Sequence, residues 1–311
     1  MLPTFLAALG VVFTMLLFAV PGFLLVKTKL VREGSISAFA RLLMYIASPC
    51  LLFDSITKNA YEPKLLWMLI ISFVFALVIL LVGMFIFMLV FKKKSSDEKY
   101  RIFNLATTLP NCAFMGVPVL EALLPDYPYA VAFSAMFSLA MNIVSWSLGA
   151  YIISQDKKNM SARRILLNPA MIALIVALPF FFSGISLPAP IYSAVTLLAK
   201  MTTPLCMLIM GMRLGCVSLK GVFLTPGSYL IVAIRQIAFP LVVFFILLIL
   251  PLDSGMKSSI YIITACPVAS VVLSHAEMIG KGQKNAAYLV LLGTSLSIVT
   301  IPIMSLLLKF F

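Results

Sequence analysis

The chain has 311 residues, 63% of them apolar and only 11% charged, with a formal net charge of +13 and a mean hydropathy of +1.14. Soluble domains are about 45–50% apolar and about 25% charged, so a soluble enzyme, a nucleic-acid-binding domain and a sizeable extramembrane domain are excluded. At about 20 residues per spanning helix, the apolar residues fill nine to ten membrane helices and leave little over.

The first apolar run, 2–26, carries no charge before Lys27. It lacks the basic leader of a cleaved signal peptide and reads as a retained span. Further runs follow at 35–57, 63–91, 101–124 and 128–153. A second set lies at 165–185, 189–212, 226–250, 257–279 and 285–309. The weakest break is near 186–190, where Leu187-Pro188-Ala189-Pro190 divides a stretch too long for one helix. The expected fold is an all-α membrane protein of about ten transmembrane helices, with nine as the alternative count. Its expected organisation is a five-helix repeat over 1–153, a short cytoplasmic loop over 154–164 and a second, inverted five-helix repeat over 165–311.

The basic residues support that count. Loops on one side hold Lys27, Lys29, Arg32, Lys92, Lys93, Lys94, Lys99, Arg101, Lys157, Lys158, Arg163, Arg164, Arg213, Lys220, Lys281 and Lys284. The other side holds only Lys58, Lys64, Lys257 and Lys309. Cytoplasmic loops collect Lys and Arg, so the expectation is an integral protein of the cell membrane with both termini outside. Topology accounts for the positive charge, and the lipid bilayer is the partner rather than nucleic acid. Arg41 and Arg235, inside spans, are read as close enough to the basic side to snorkel. The five cysteines form no CxxC pair and no cluster with the single His, which gives no sign of zinc or of a disulfide framework.

Two apolar runs are interrupted in a comparable way. The fourth contains Pro110-Asn111-Cys112 and Gly116-Val117-Pro118, and the ninth contains Thr264-Ala265-Cys266-Pro267. Ser48-Pro49 in the second run is echoed by Thr203-Pro204 in the seventh. Proline removes a backbone donor and clashes with the preceding turn. Backbone groups freed at membrane depth persist only where protein or a wet cavity satisfies them. Paired breaks in two inverted halves point to a substrate site near the midplane. Asn111, Cys112, Gly116, Pro118, Cys266 and Pro267 are therefore the candidate substrate-binding residues. Half-helix N-termini there carry partial positive charge suited to a carboxylate. The Asn111 amide either binds substrate or satisfies its own broken helix.

Four ionisable residues are further candidates. Lys200 sits near the middle of the seventh run, where a charge costs at least about 2.5 kcal/mol on insertion scales. It either receives an anion or pairs with a carboxylate. His275 and Glu277, near the inner end of the ninth run, and Asp54, at the outer end of the second, are candidates for proton or ion coupling. The histidine side chain titrates nearest physiological pH. His275 and Glu277 are two residues apart and do not share a helix face, so a plain polar helix end is the alternative. Glu121 and Asp54 also read as gate or interfacial residues.

The segment Asn111-Cys112-Ala113-Phe114-Met115-Gly116-Val117-Pro118 resembles the fourth-span motif of the auxin efflux carrier family. Asn168-Pro169, Pro204 with Met210-Gly211-Met212, Cys266-Pro267, Thr294-Ser295-Leu296-Ser297 and Thr300-Ile301-Pro302 are similar to further family motifs, in the family's order. The resemblance covers essentially the whole chain. It lacks the long central loop of the plant carriers, like short prokaryotic members that resemble permeases for malonate and malate. It implies a scaffold and a transport domain, crossing broken fourth and ninth helices, a carboxylate at the crossing, an elevator-like movement and a homodimer. The expected function is secondary transport of a small organic anion such as a mono- or dicarboxylate. Proton or sodium coupling is left open, and no ATP motif or other cofactor site is present. A sodium-coupled symporter similar to the bile-acid carriers and a receptor or sensor on the same scaffold are the alternatives. The motifs of hydrolases and metalloproteases are absent, which argues against an enzyme.

Overall fold

In the computed structural model, residues 2–156, 158 and 167–311 are described. The loop expected over 154–164 lies largely outside them. Among the described residues the chain is helical, and its only β-type pairing is one isolated bridge. Seven helices are long and apolar enough to cross a membrane. These are α1 (Leu2–Lys27), α2 (Glu33–Thr57), α3 (Pro63–Val90), α6 (Ala130–Ser154), α8 (Ala189–Cys216), α9 (Pro226–Ile249) and α12 (Gln283–Phe310). The fourth and ninth apolar runs each form two shorter helices, α4 (Glu98–Thr108) with α5 (Gly116–Leu123), and α10 (Ser254–Ala265) with α11 (Ser270–Ile279). The remaining apolar helix is α7 (Pro169–Ser183).

Local chemistry sets the ends. Asp97, Asn168 and Asp253 accept hydrogen bonds from Lys99, Ala170 and Met256 N–H groups at the starts of α4, α7 and α10, each satisfying a donor that the first turn leaves free. The weak break near 186–190 begins at Gly184, whose φ of +66° closes α7 in the left-handed conformation.

Helices α1 and α3 are apolar on every side, and only a stripe of each is buried. In α1 that stripe is Ala8, Val12, Met15 and Gly22, at helical spacing. It packs chiefly on α8. A Cβ at Gly22 would run into the Leu208 backbone, and one at Gly211 into the Ala19 carbonyl, so small residues let two backbones touch where no hydrophobic driving force is available. By contrast, α6 and α12 are mostly enclosed by other helices.

The two interruptions meet. Asn111 N–H donates to the Pro267 carbonyl at 2.8 Å, and Ala269 N–H donates to the Leu109 carbonyl at 3.0 Å. Together they form an antiparallel bridge between Pro110 and Val268. Backbone groups freed by the prolines thus find partners in the opposite break. Three helices also carry a one-turn π-bulge: α2 at Leu43–Ala47, α6 at Ser145–Gly149 and α9 at Ile234–Ala238. All three lie alongside the elements described next.

Candidate functional site

A cavity of about 120 Å³ lies in front of the crossing. One wall is Asn111, Ala113 and Phe114 from the first break with Ala269, Ser270 and Val271 from the second. The facing wall comes from α2, the start of α7 and the second half of α8, and α6 forms a side. Its volume is well below the roughly 300–1,000 Å³ of sites for drug-sized ligands, so it suits a small molecule.

Asn111 is 3% exposed. Its side chain makes no hydrogen bond among the described residues, although it lines the cavity. Its backbone is occupied, since the N–H serves Pro267 and the carbonyl accepts from Gly116 N–H at 3.1 Å. The amide is open to the cavity rather than sealed from it, so it can serve a ligand or water there. Ser270 and Val271, the first residues of α11, line the same cavity as Asn111, and N–H groups in a first turn have no partner within their own helix. Ser134 and Ser138 of α6, Asn142 of α6 and Asn168 before α7 add polar groups. Asn168 Nδ2 donates to Asn142 Oδ1 at 3.3 Å, which ties the facing wall to the α6 side.

The other predicted residues divide by position. Cys112 is fully buried behind the cavity wall, with Sγ 3.1 Å from Ser138 Oγ. Cys266 is fully buried as well, and Pro267 contributes through its carbonyl. Gly116 starts α5 beside Ser134, and half-buried Pro118 follows on the same helix. None of these five lines the cavity; they build the crossing that presents Asn111.

Lys200 is not brought to this site. It is exposed at the end of the first half of α8 and meets no carboxylate among the described residues. Its position along the chain is central, but its face of the helix points out of the bundle. Asp54 accepts from Thr196 Oγ1 at 3.0 Å, linking α2 to α8 away from the crossing. His275 is buried with Nε2 2.5 Å from Ser145 Oγ in the α6 bulge. The Trp146 ring lies 4.5 Å away, and Nδ1 has no partner among the described residues. Glu277 forms a two-pronged ion pair with Arg213, in which Nη2 to Oε2 is 2.8 Å and Nη1 to Oε1 is shorter.

Two arginines take positions the sequence reading did not give them. Arg213, expected among the loop charges, ends α8 and lines the cavity. It shares a helix face with Cys206 and Met210, which also line it, and that spacing was the available signal. It also lines a second pocket beyond, between the start of α2 and the start of α12. Arg235, expected to snorkel, is instead wholly buried at the crossing. It is the tenth residue of a 24-residue apolar helix, a central place that Lys200 shares in its own helix and that by itself does not show burial.

Broken helices meeting beside a mostly apolar cavity with a few polar groups, inside a bundle of apolar helices, are an arrangement that membrane transporters use. The membrane transport protein family model matches residues 7–305. The chain therefore belongs to that family, the auxin-efflux-carrier-like transporters. It is 27% identical over 225 residues to an uncharacterized transporter of Methanocaldococcus jannaschii, covering 69% of this chain and 72% of that one.

Proposed function

We propose that this protein is a secondary transporter for a small organic anion, which binds in the cavity in front of the crossing. The observation that carries the reading is the Asn111 side chain, which lines the cavity without a hydrogen bond among the described residues, beside Ser270 and Val271 at the start of α11. Amide and helix N-terminus together match a carboxylate in charge and in hydrogen-bonding sense.

The ten apolar segments are read as two inverted five-helix repeats. Support comes from reciprocal packing, since α1 packs on α8 much as α7 packs on α2. In this reading α1, α2, α7 and α8 form a scaffold, and the crossing helices with their neighbours move against it. The Arg213–Glu277 pair joins the two groups and separates the cavity from the pocket beyond. It closes the site on the side that the basic loops mark as cytoplasmic.

The test is a thermal-stability screen of the purified protein against mono- and dicarboxylates and their neutral amides, followed by counterflow in proteoliposomes. Stabilisation and exchange by one carboxylate class, with no response to its amide, are expected. Equal responses to acid and amide, or none to any acid, overturn the anion reading.

A further inference from the structure

Arg235 lies in the π-bulge of α9 and is 0% exposed. The only ion pair among the described residues is Arg213–Glu277, so no carboxylate there balances it. Its guanidinium instead meets backbone carbonyls from both broken helices. Nη1 donates to Thr108 O at 2.9 Å and reaches Thr107 O at 3.5 Å, Nε reaches Cys266 O at 3.4 Å, and Nη2 donates to Thr264 O. The guanidinium plane is backed by the Phe239 ring, with Cζ 4.6 Å from its centroid.

These carbonyls belong to the last turns of α4 and α10 and the residue after them. A helix C-terminus leaves its final carbonyls without partners and carries about half a negative charge. Two such ends brought together amount to about one negative charge, which one guanidinium balances. Where transporters use broken helices, half-helix C-terminal ends and unwound carbonyls are the groups that coordinate a coupling cation. Here they are occupied by a side chain. A planar fork with five donors serves several carbonyls in one plane, which a lysine ammonium on a flexible stem cannot do.

We infer that Arg235 is a tethered cation: it holds the two half-helix C-termini together and takes the place of a metal ion, so the crossing is complete without sodium. Its part is positioning, because it touches no substrate-facing group and acts by holding the breaks that present Asn111. Sodium-independent anion carriage then follows if the cavity is the substrate site. The arginine's own role rests on the geometry alone.

The test uses substrate-free protein in detergent. Wild-type melting temperature is expected to be the same in sodium, potassium and choline chloride. Arg235→Lys is expected to melt lower, and Arg235→Gln lower still, by on the order of 5 °C or more below wild type. Arg235→Ala is expected to regain part of its loss with millimolar methylguanidinium but not with methylurea, which has the shape without the charge. A sodium-specific rise in the wild type overturns the inference, even where no variant folds. So does an Arg235→Gln protein as stable as Arg235→Lys. None of these readings involves a carboxylate, so they stand or fall apart from the substrate screen.

Discussion

Replacing Asn111 with alanine separates binding from folding. The side chain is 3% exposed and has no hydrogen-bond partner among the described residues, so its removal orphans no group within that part of the chain. It already borders the cavity, and truncation enlarges an existing space rather than opening a new one. The amide is open to the cavity and its loss leaves no buried partner unsatisfied, so the substrate-free melting temperature should hold. Binding behaves differently, because a hydrogen bond to a charged group contributes about 1.5–3 kcal/mol. At 1.36 kcal/mol per factor of ten, carboxylate affinity should fall roughly 10- to 150-fold. Calorimetry on the purified variant, with melting curves on the same sample, measures both quantities. A melting temperature several degrees lower with unchanged affinity would show that Asn111 supports its own broken helix and would refute the reasoning.

Other parts of the molecule give equally direct expectations. Glu277→Gln removes the charge that holds Arg213, and a cysteine placed at the cavity residue Ser274, in a background lacking Cys50, Cys206 and Cys216, should then react faster with an impermeant thiol reagent added on the side of the basic loops. An unchanged rate would remove the pair from the gate. Gly211→Leu forces a side chain into the Ala19 carbonyl and should abolish folding, whereas Gly10→Ala, with nothing within 4 Å of its added Cβ, should be silent; expression and monodispersity report both. Outside the membrane segments, Tyr127 Oη donates to Asp253 at 2.6 Å, and this bond holds the Asp253 carboxyl below its ordinary value of 3.8. A depressed carboxyl stabilises the fold above that value and loses the contribution as pH falls through the folded pKa, so wild type should lose more stability than Tyr127→Phe in melting curves taken below about pH 4.

The breaks were legible because proline and asparagine have few roles in the middle of an apolar run, and Pro110, Asn111 and Pro267 all lie at the crossing. What the sequence could not supply was rotation about each helix axis. Helices α1 and α3 are apolar on every side, so no periodicity marks their inner face. The same ambiguity explains Lys200 and Arg235. Both are charges inside apolar runs, yet one faces outward and the other is the largest fully buried side chain among the described residues. Position along the run separates them poorly, and the difference lies in what each helix packs against. Lys200 borders no carbonyl left free by a break, whereas Arg235 looks onto two. The pairing of Arg213 with Glu277 was out of reach for another reason: 64 residues separate them, and no local pattern joins α8 to α11.

The crossing also has a direction. Its C-terminal carbonyls face Arg235, and the N-terminal end of α11 faces the cavity with Asn111, so the cavity side should favour negative charge. Asn111→Asp tests this with little change of shape, because the new carboxylate would stand where a substrate carboxylate is proposed to bind. A negative charge at a helix N-terminus contributes about 0.3–1 kcal/mol, and up to about 2 kcal/mol where partly buried. The variant should therefore melt above Asn111→Ala at neutral pH, lose that advantage when the carboxyl is protonated in acid, and no longer respond to added carboxylate, since its own carboxylate fills the place. Tight carboxylate binding by Asn111→Asp, or a melting temperature well below that of Asn111→Ala at neutral pH, would mean that the cavity does not favour anions and that the start of α11 is no anion site.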